Sequence, residues 1–92
     1  MNPVVYILQS NKNGRFYIGS TNNIDRRFEQ HNKGLVVSTK NIRPFELCAI
    51  LRCDTLQEAR IFEHRLKDYK SRKIIEKVIV SKIFPWKYQS PA

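Results

Sequence analysis

Long apolar runs are missing from this chain of 92 residues. No stretch approaches the roughly 20 apolar residues that a membrane-crossing helix needs, so a spanning protein is not expected. The first apolar patch, Val4 to Leu8, ends at Gln9 and is too short for the core of a signal peptide. The expected location is the cytoplasm, including its nucleoid. Cysteine is scarce, with only Cys48 and Cys53. Their odd separation within one expected strand puts them on opposite faces, which excludes a bridge inside that strand. No further ligands are spaced to make them a metal site, so reduced, buried or half-buried thiols are expected. Repeats, low-complexity segments and internal linkers are also absent. The reading is one domain over residues 1–80 with a tail over residues 81–92.

Acidic residues are few. Eight Asp+Glu against seventeen Lys+Arg leave a formal charge of +9. Such an excess on so small a chain points to a polyanionic partner, most simply nucleic acid; the plainer alternative is a solvated basic surface. No helix combines an aromatic face with a lysine-rich one, which argues against a membrane surface. Hydrophobic residues make up 41% of the chain, enough for a modest core.

Val4-Val5-Tyr6 and Tyr17-Ile18-Gly19 read as two strands around Asn11-Lys12-Asn13-Gly14, where Asn-Gly tolerates positive φ. A two-residue turn pairs Lys12 with Arg15, and a four-residue loop keeps the same parity. Either way Tyr6, Leu8 and Ser10 share a face with Tyr17, Gly19 and Thr21, while Val5, Ile7, Phe16 and Ile18 form the apolar face. Gly19 leaves a gap on the tyrosine face where another group is expected to approach. Asn22 or Asn23 caps a helix from Ile24 to about Lys33, and Gly34 stops it. Phe45, Leu47, Ala49, Leu51 and Cys53 alternate with polar or half-buried positions as a third strand. Thr55 and Glu58 form a capping box for a helix to about Tyr69, with Ala59, Phe62 and Leu66 as its stripe. Ser71 caps another, striped by Ile74, Ile75, Val78 and Ile79. Phe84, Trp86 and Tyr88 form an aromatic tail that packs back in part or offers a contact surface for a protein partner. The expected fold is α+β: a small, three-stranded, mostly antiparallel sheet with flanking helices in the order β-β-α-β-α-α.

Arg27 and His31 lie four apart on one helix face, near the edge of its buried side. There Arg27 is placed to clamp a phosphate and His31 to shuttle a proton; the alternative is a solvated arginine and a histidine near the helix end. Glu63 adjoins the stripe of the next helix, where a carboxylate needs a partner. That partner is Lys67 or a divalent metal. Cross-strand packing accounts for the tyrosines by themselves. Together, however, two phenols, Gly19, Arg27, His31 and Glu63 supply groups for proton transfer, charge stabilisation and metal binding at a phosphodiester.

Val4-Val5-Tyr6, Tyr17-Ile18-Gly19-Ser20-Thr21, the segment Ile24-Asp25-Arg26-Arg27-Phe28-Glu29-Gln30-His31-Asn32, and Glu63 resemble, in order and spacing, the motifs of the GIY-YIG nuclease domain. The likeness runs from about residue 3 to residue 80. Phe45-Glu46-Leu47 after Arg43-Pro44, and Ala59-Arg60 before Glu63 and Lys67, are similar to small stand-alone bacterial members. The resemblance implies metal-dependent hydrolysis of DNA phosphodiesters by an endonuclease acting on structured or damaged DNA, as in DNA repair. The alternative is a catalytically silent nucleic-acid-binding module of the same fold. On the family pattern Tyr17 or Tyr6 deprotonates or orients the attacking water, and its pKa is expected to fall beside Arg27 and a metal-bound water. Arg27 stabilises the charge on the phosphorane and His31 assists proton transfer or phosphate contact. Glu63 binds one Mg²⁺ or Mn²⁺. Arg26, Lys40, Arg43, Lys67 and Lys70 are the candidate nucleic-acid contacts, and Gly19 is the structural glycine of the site. Val4-Val5 stands where the first family motif has Gly-Ile, with Tyr6 retained. No asparagine follows Asn41, so Gln89, Ser90 or no residue fills the role of the family's late asparagine.

Overall fold

Residues 2–87 are described in this computed structural model. Strands β1 (Val4–Ser10) and β2 (Phe16–Thr21) are followed by helix α1 (Ile24–Asn32), strand β3 (Phe45–Arg52) and helices α2 (Leu56–Asp68) and α3 (Arg72–Ser81). The β-β-α-β-α-α order is the expected one. The sheet order is β2-β1-β3, with both pairings antiparallel.

The hairpin closes through the longer of the two loops. Ser10 N–H donates to Arg15 O at 2.9 Å and Gly14 N–H to Ser10 O at 2.9 Å. Gly14 takes a φ of 74°, which a side chain would strain. Tyr6 therefore opposes Gly19 and Leu8 opposes Tyr17, the parity expected from the turn. Local capping sets the helix starts. Asn23 accepts from Arg26 N–H at 3.2 Å, Thr55 from Glu58 N–H at 3.0 Å and Ser71 from Ile74 N–H at 3.3 Å. Gly34, at φ 77°, follows the end of α1 as a left-handed stop.

The sheet has apolar contacts on both faces. On one, Val5, Ile7, Ile18, Ala49 and Leu51 meet Ala59 and Leu66 of α2 and Ile75 and Val78 of α3. On the other, Tyr6, Leu8 and Phe45 meet Ile24 and Phe28 of α1. The third strand corrects the simple alternation. Leu8 pairs with Leu47 but Ile7 with Ala49, so Cys48 is an extra residue in a β-bulge. The bulge divides the apolar set. Phe45 and Leu47 join the tyrosine side, whereas Ala49, Leu51 and Cys53 join the α2–α3 side. Cys48 also packs on the α2–α3 side, so the two cysteines do not lie on opposite faces; both thiols are free.

The described segment after α3, residues 82–87, packs back. Phe84 is 3% exposed within the α2–α3 core. Trp86 stacks on Phe84 at 4.8 Å between centroids, with the Arg65 guanidinium 4.4 Å from its ring centre. Tyr88, Gln89 and Ser90 lie outside the described residues. Among the described residues no helix is long and apolar enough to cross a membrane.

Candidate active site

Tyr6 sits at the centre of the middle strand and is 1% exposed. A side chain at its partner Gly19 would fall against the Tyr6 ring and hydroxyl. The gap at Gly19, expected to admit an incoming group, is filled by Tyr6 itself. His31 is likewise more buried than its helical position suggested: it is wholly inside, at 0% exposure. Its ring is surrounded by Tyr6, Tyr17 and Phe45, with centroids 5.7, 5.0 and 5.9 Å away.

Both imidazole nitrogens are partnered. His31 Nε2 lies 2.9 Å from the Tyr6 hydroxyl and Nδ1 lies 2.8 Å from Thr39 Oγ1. Thr39 Oγ1 also donates to the Val36 carbonyl at 3.4 Å. A hydroxyl has one proton to give, so Thr39 accepts from His31 Nδ1–H. That leaves Nε2 to accept the Tyr6 hydroxyl proton. Burial and the nearby Arg27 charge hold His31 down at about pKa 4. Burial pushes Tyr6 up to about 12, with the Arg27 guanidinium opposing and Tyr17 and Glu63 adding to the rise. The Tyr6 phenol is therefore harder to ionise than an ordinary tyrosine, against the expectation that cationic surroundings would activate it. Desolvation outweighs the single arginine.

Tyr17 is the more accessible phenol. It is half-buried on the edge strand β2, 6.3 Å from the Tyr6 ring. Arg27 is half-buried in α1, where one guanidinium nitrogen donates to Gln30 Oε1 at 3.3 Å. Glu63 approaches from α2, across the same edge. Its Oε1 accepts from Ser20 Oγ at 2.6 Å and its Oε2 pairs with Lys67 Nζ at 2.5 Å. The Lys67 ammonium also lies 5.9 Å from the Tyr17 ring centre. The Glu63–Lys67 pair expected from the i, i+4 spacing is thus present within α2, and the Ser20–Glu63 hydrogen bond ties that helix to strand β2.

Two basic grooves flank this edge. One, of about 370 Å³, has an apolar floor of Phe16, Ile18, Leu66 and Ile75 rimmed by Arg15, Lys67, Lys70 and Arg72, with Tyr17 also in its lining. The other, of about 280 Å³, is lined by Ser20, Thr21, Arg26, Arg27, Gln30 and Arg60. Three of the expected nucleic-acid contacts, Arg26, Lys67 and Lys70, line these grooves. Lys40 and Arg43 line neither: Arg43 packs against Gly34 and donates to the Lys40 carbonyl at 3.1 Å. Thr39 and Ser20, which hold His31 and Glu63, were not sequence candidates. Thr39 carries no periodic signal, and Ser20 is visible only as part of the second tyrosine motif.

No group of three or more His, Cys, Asp or Glu side chains converges among the described residues. A cation at Glu63 would receive one protein carboxylate, with water and substrate phosphate completing its shell. Both oxygens of that carboxylate are engaged, one by Ser20 and one by Lys67.

Residues 2–77 match the GIY-YIG catalytic domain, and the chain belongs to that family. It is 36% identical over 74 residues to the UPF0213 protein BH0048 of Halalkalibacterium halodurans, covering 79% of this chain and 78% of that one. The solution NMR structure of UPF0213 protein BH0048 from Bacillus halodurans aligns with a TM-score of 0.55 at 33% identity. That alignment covers 95% of this chain and 92% of the other.

Proposed function

We propose that the protein is an endonuclease that hydrolyses DNA phosphodiester bonds, with structured or damaged DNA as its substrate. The observation that carries this reading is the convergence at one sheet edge of Tyr17, Arg27 and the Ser20-held Glu63, between two basic grooves. Tyr17, at the surface of the aromatic cluster, orients the attacking water. Arg27 faces the phosphate and offsets the negative charge that builds on it. Tyr6 and His31 act from behind. Their neutral pair fixes the position of the wall that Tyr17 leans on and keeps the Tyr6 oxygen free to accept from Arg27. Glu63 would hold a single Mg²⁺ or Mn²⁺ after release from Lys67, and the ion would neutralise charge on the phosphate oxygens.

A second reading is a catalytically silent nucleic-acid-binding module. It is favoured by Glu63 having both oxygens engaged, one by Ser20 and the other by Lys67. Incubation with branched, nicked and single-stranded DNA plus Mn²⁺ separates the two. The nuclease reading expects products that disappear with Glu63→Ala; equal cleavage by both proteins would mean contamination and would sink it. The binding reading expects affinity that survives Glu63→Ala and falls steeply with salt.

A further inference from the structure

The groove beside Ser20 is lined by three arginines from two helices. Arg26 and Arg27 lie in the first turn of α1 and Arg60 lies near the start of α2. The positive ends of both helix dipoles fall in the same region. Among the described residues, the ion pairs are Lys33–Glu29, Lys67–Glu63 and Arg72–Glu76. None involves Arg26, Arg27 or Arg60, and no acidic side chain lines the groove. Glu63, one turn beyond Arg60, is committed instead to Ser20 and Lys67. Three uncompensated like charges in one concavity repel one another unless an anion joins them. The hydroxyls add a further donor. Thr21 Oγ1 accepts from Asn23 N–H at 3.1 Å, which leaves its own proton to donate outward.

The nuclease reading assigns Arg27 to the cleaved phosphate; it gives Arg60 and Thr21 no part and leaves Arg26 as a nucleic-acid contact whose partner atom is unassigned. We infer that these three bind a second phosphate group, the backbone phosphodiester next to the cleaved one. The groove is contiguous with the reactive edge, because Ser20 both lines it and donates to Glu63. Arg60 and Arg26 are positioning residues for the strand; they do not touch the reacting atoms. This inference rests on the nuclease reading for its location relative to the cleaved bond. The phosphate site itself can be tested without cleavage.

The test measures binding of a short single-stranded oligonucleotide to the full chain in the presence of a chelator, across a range of salt concentrations. A phosphate contact in single strands adds about 0.7 to the slope of log affinity against log salt. Arg60→Gln is expected to lower the slope by about that amount and to weaken binding roughly tenfold at low salt. Arg60→Lys should keep the slope while losing part of the affinity, because a point charge replaces a fork. Lys33→Gln, an equal charge change outside the groove, should leave the slope unaltered. A single neutral methylphosphonate linkage moved along the oligonucleotide then locates the contact. One position should weaken wild type severalfold and leave Arg60→Gln unaffected. An unchanged slope in a folded Arg60→Gln, confirmed by its circular dichroism melt, overturns the inference even where wild type cleaves DNA. Sensitivity confined to a terminal 5′-phosphate also overturns it, because the groove would then read strand ends. A lowered slope with a located internal linkage, in a protein that never cleaves, sustains the phosphate site and removes only the nuclease reading.

Discussion

Tyr6, His31 and Thr39 form a buried chain in which each group is satisfied only while its neighbour keeps one protonation state. Thr39→Val would leave His31 Nδ1–H without its acceptor at a position sealed from water. A stability loss of about 1–3 kcal/mol is expected. Nitrogen NMR of the imidazole should show the Nδ1–H tautomer in wild type and a mixture in the variant; an Nε2–H tautomer in wild type would contradict the donor order argued here. Gly19→Ala should lower stability by about 1–3 kcal/mol, since the new methyl meets the Tyr6 ring, and a neutral result in denaturant titration would show that the ring can move aside. The pH dependence follows from the two shifts. His31 is held near pKa 4 against an unfolded value of about 6.5. Between those values the unfolded chain binds the proton and the folded one does not, so stability falls as pH drops through that window. The full loss is about 3 kcal/mol. Tyr6, raised to about 12, acts with the opposite sign: its contribution is complete below about pH 10 and is lost as pH rises through 12. Urea midpoints for wild type and His31→Gln across pH 4–8 check the acid limb. Parallel curves for the two proteins would contradict it.

At the scale of elements, the parts written locally in the sequence were the legible ones. Asn13-Gly14 announced the hairpin, and its parity put Tyr6 and Tyr17 on one face whichever loop length formed. Asn23, Thr55 and Ser71 announced the helices, because a capping side chain acts within three residues of itself. The β3 bulge was not legible. Leu47, Cys48 and Ala49 continue a regular alternation, and only pairing against β1 reveals the extra residue. The burial of His31 was also hidden, because it depends on residues 33–44 folding back to bring Thr39 over the helix. Gly19 was expected to leave a gap for an incoming group, but Tyr6 from the neighbouring strand fills it. After α3, Phe84 packs into the core. Phe84→Ala should therefore lower stability by about 3–5 kcal/mol, a large part of what a domain of this size has. A loss below about 1 kcal/mol in chemical denaturation would show that the segment merely rests on the surface.

For the whole molecule, the charge of +9 gains meaning from its placement. Tyr17, Lys67 and Lys70 line one groove and Arg26, Arg27 and Arg60 the other, and Glu63 bonds to Lys67 of the first and Ser20 of the second. The family assignment and the fold account for the scaffold; the chemistry is argued from these side chains. The central claim is that Tyr17, Arg27 and Glu63 act on one phosphodiester. Its most direct test is the single-turnover cleavage rate of one DNA substrate by wild type, Tyr17→Phe, Arg27→Ala and Glu63→Ala, with each variant shown to be folded. Removal of a preorganised charge-stabilising group or of a positioned proton-handling group lowers rates by about 10²- to 10³-fold. The account predicts measurable cleavage by wild type and losses of that size or more in all three variants. Wild-type cleavage that persists undiminished in any one of them would contradict it.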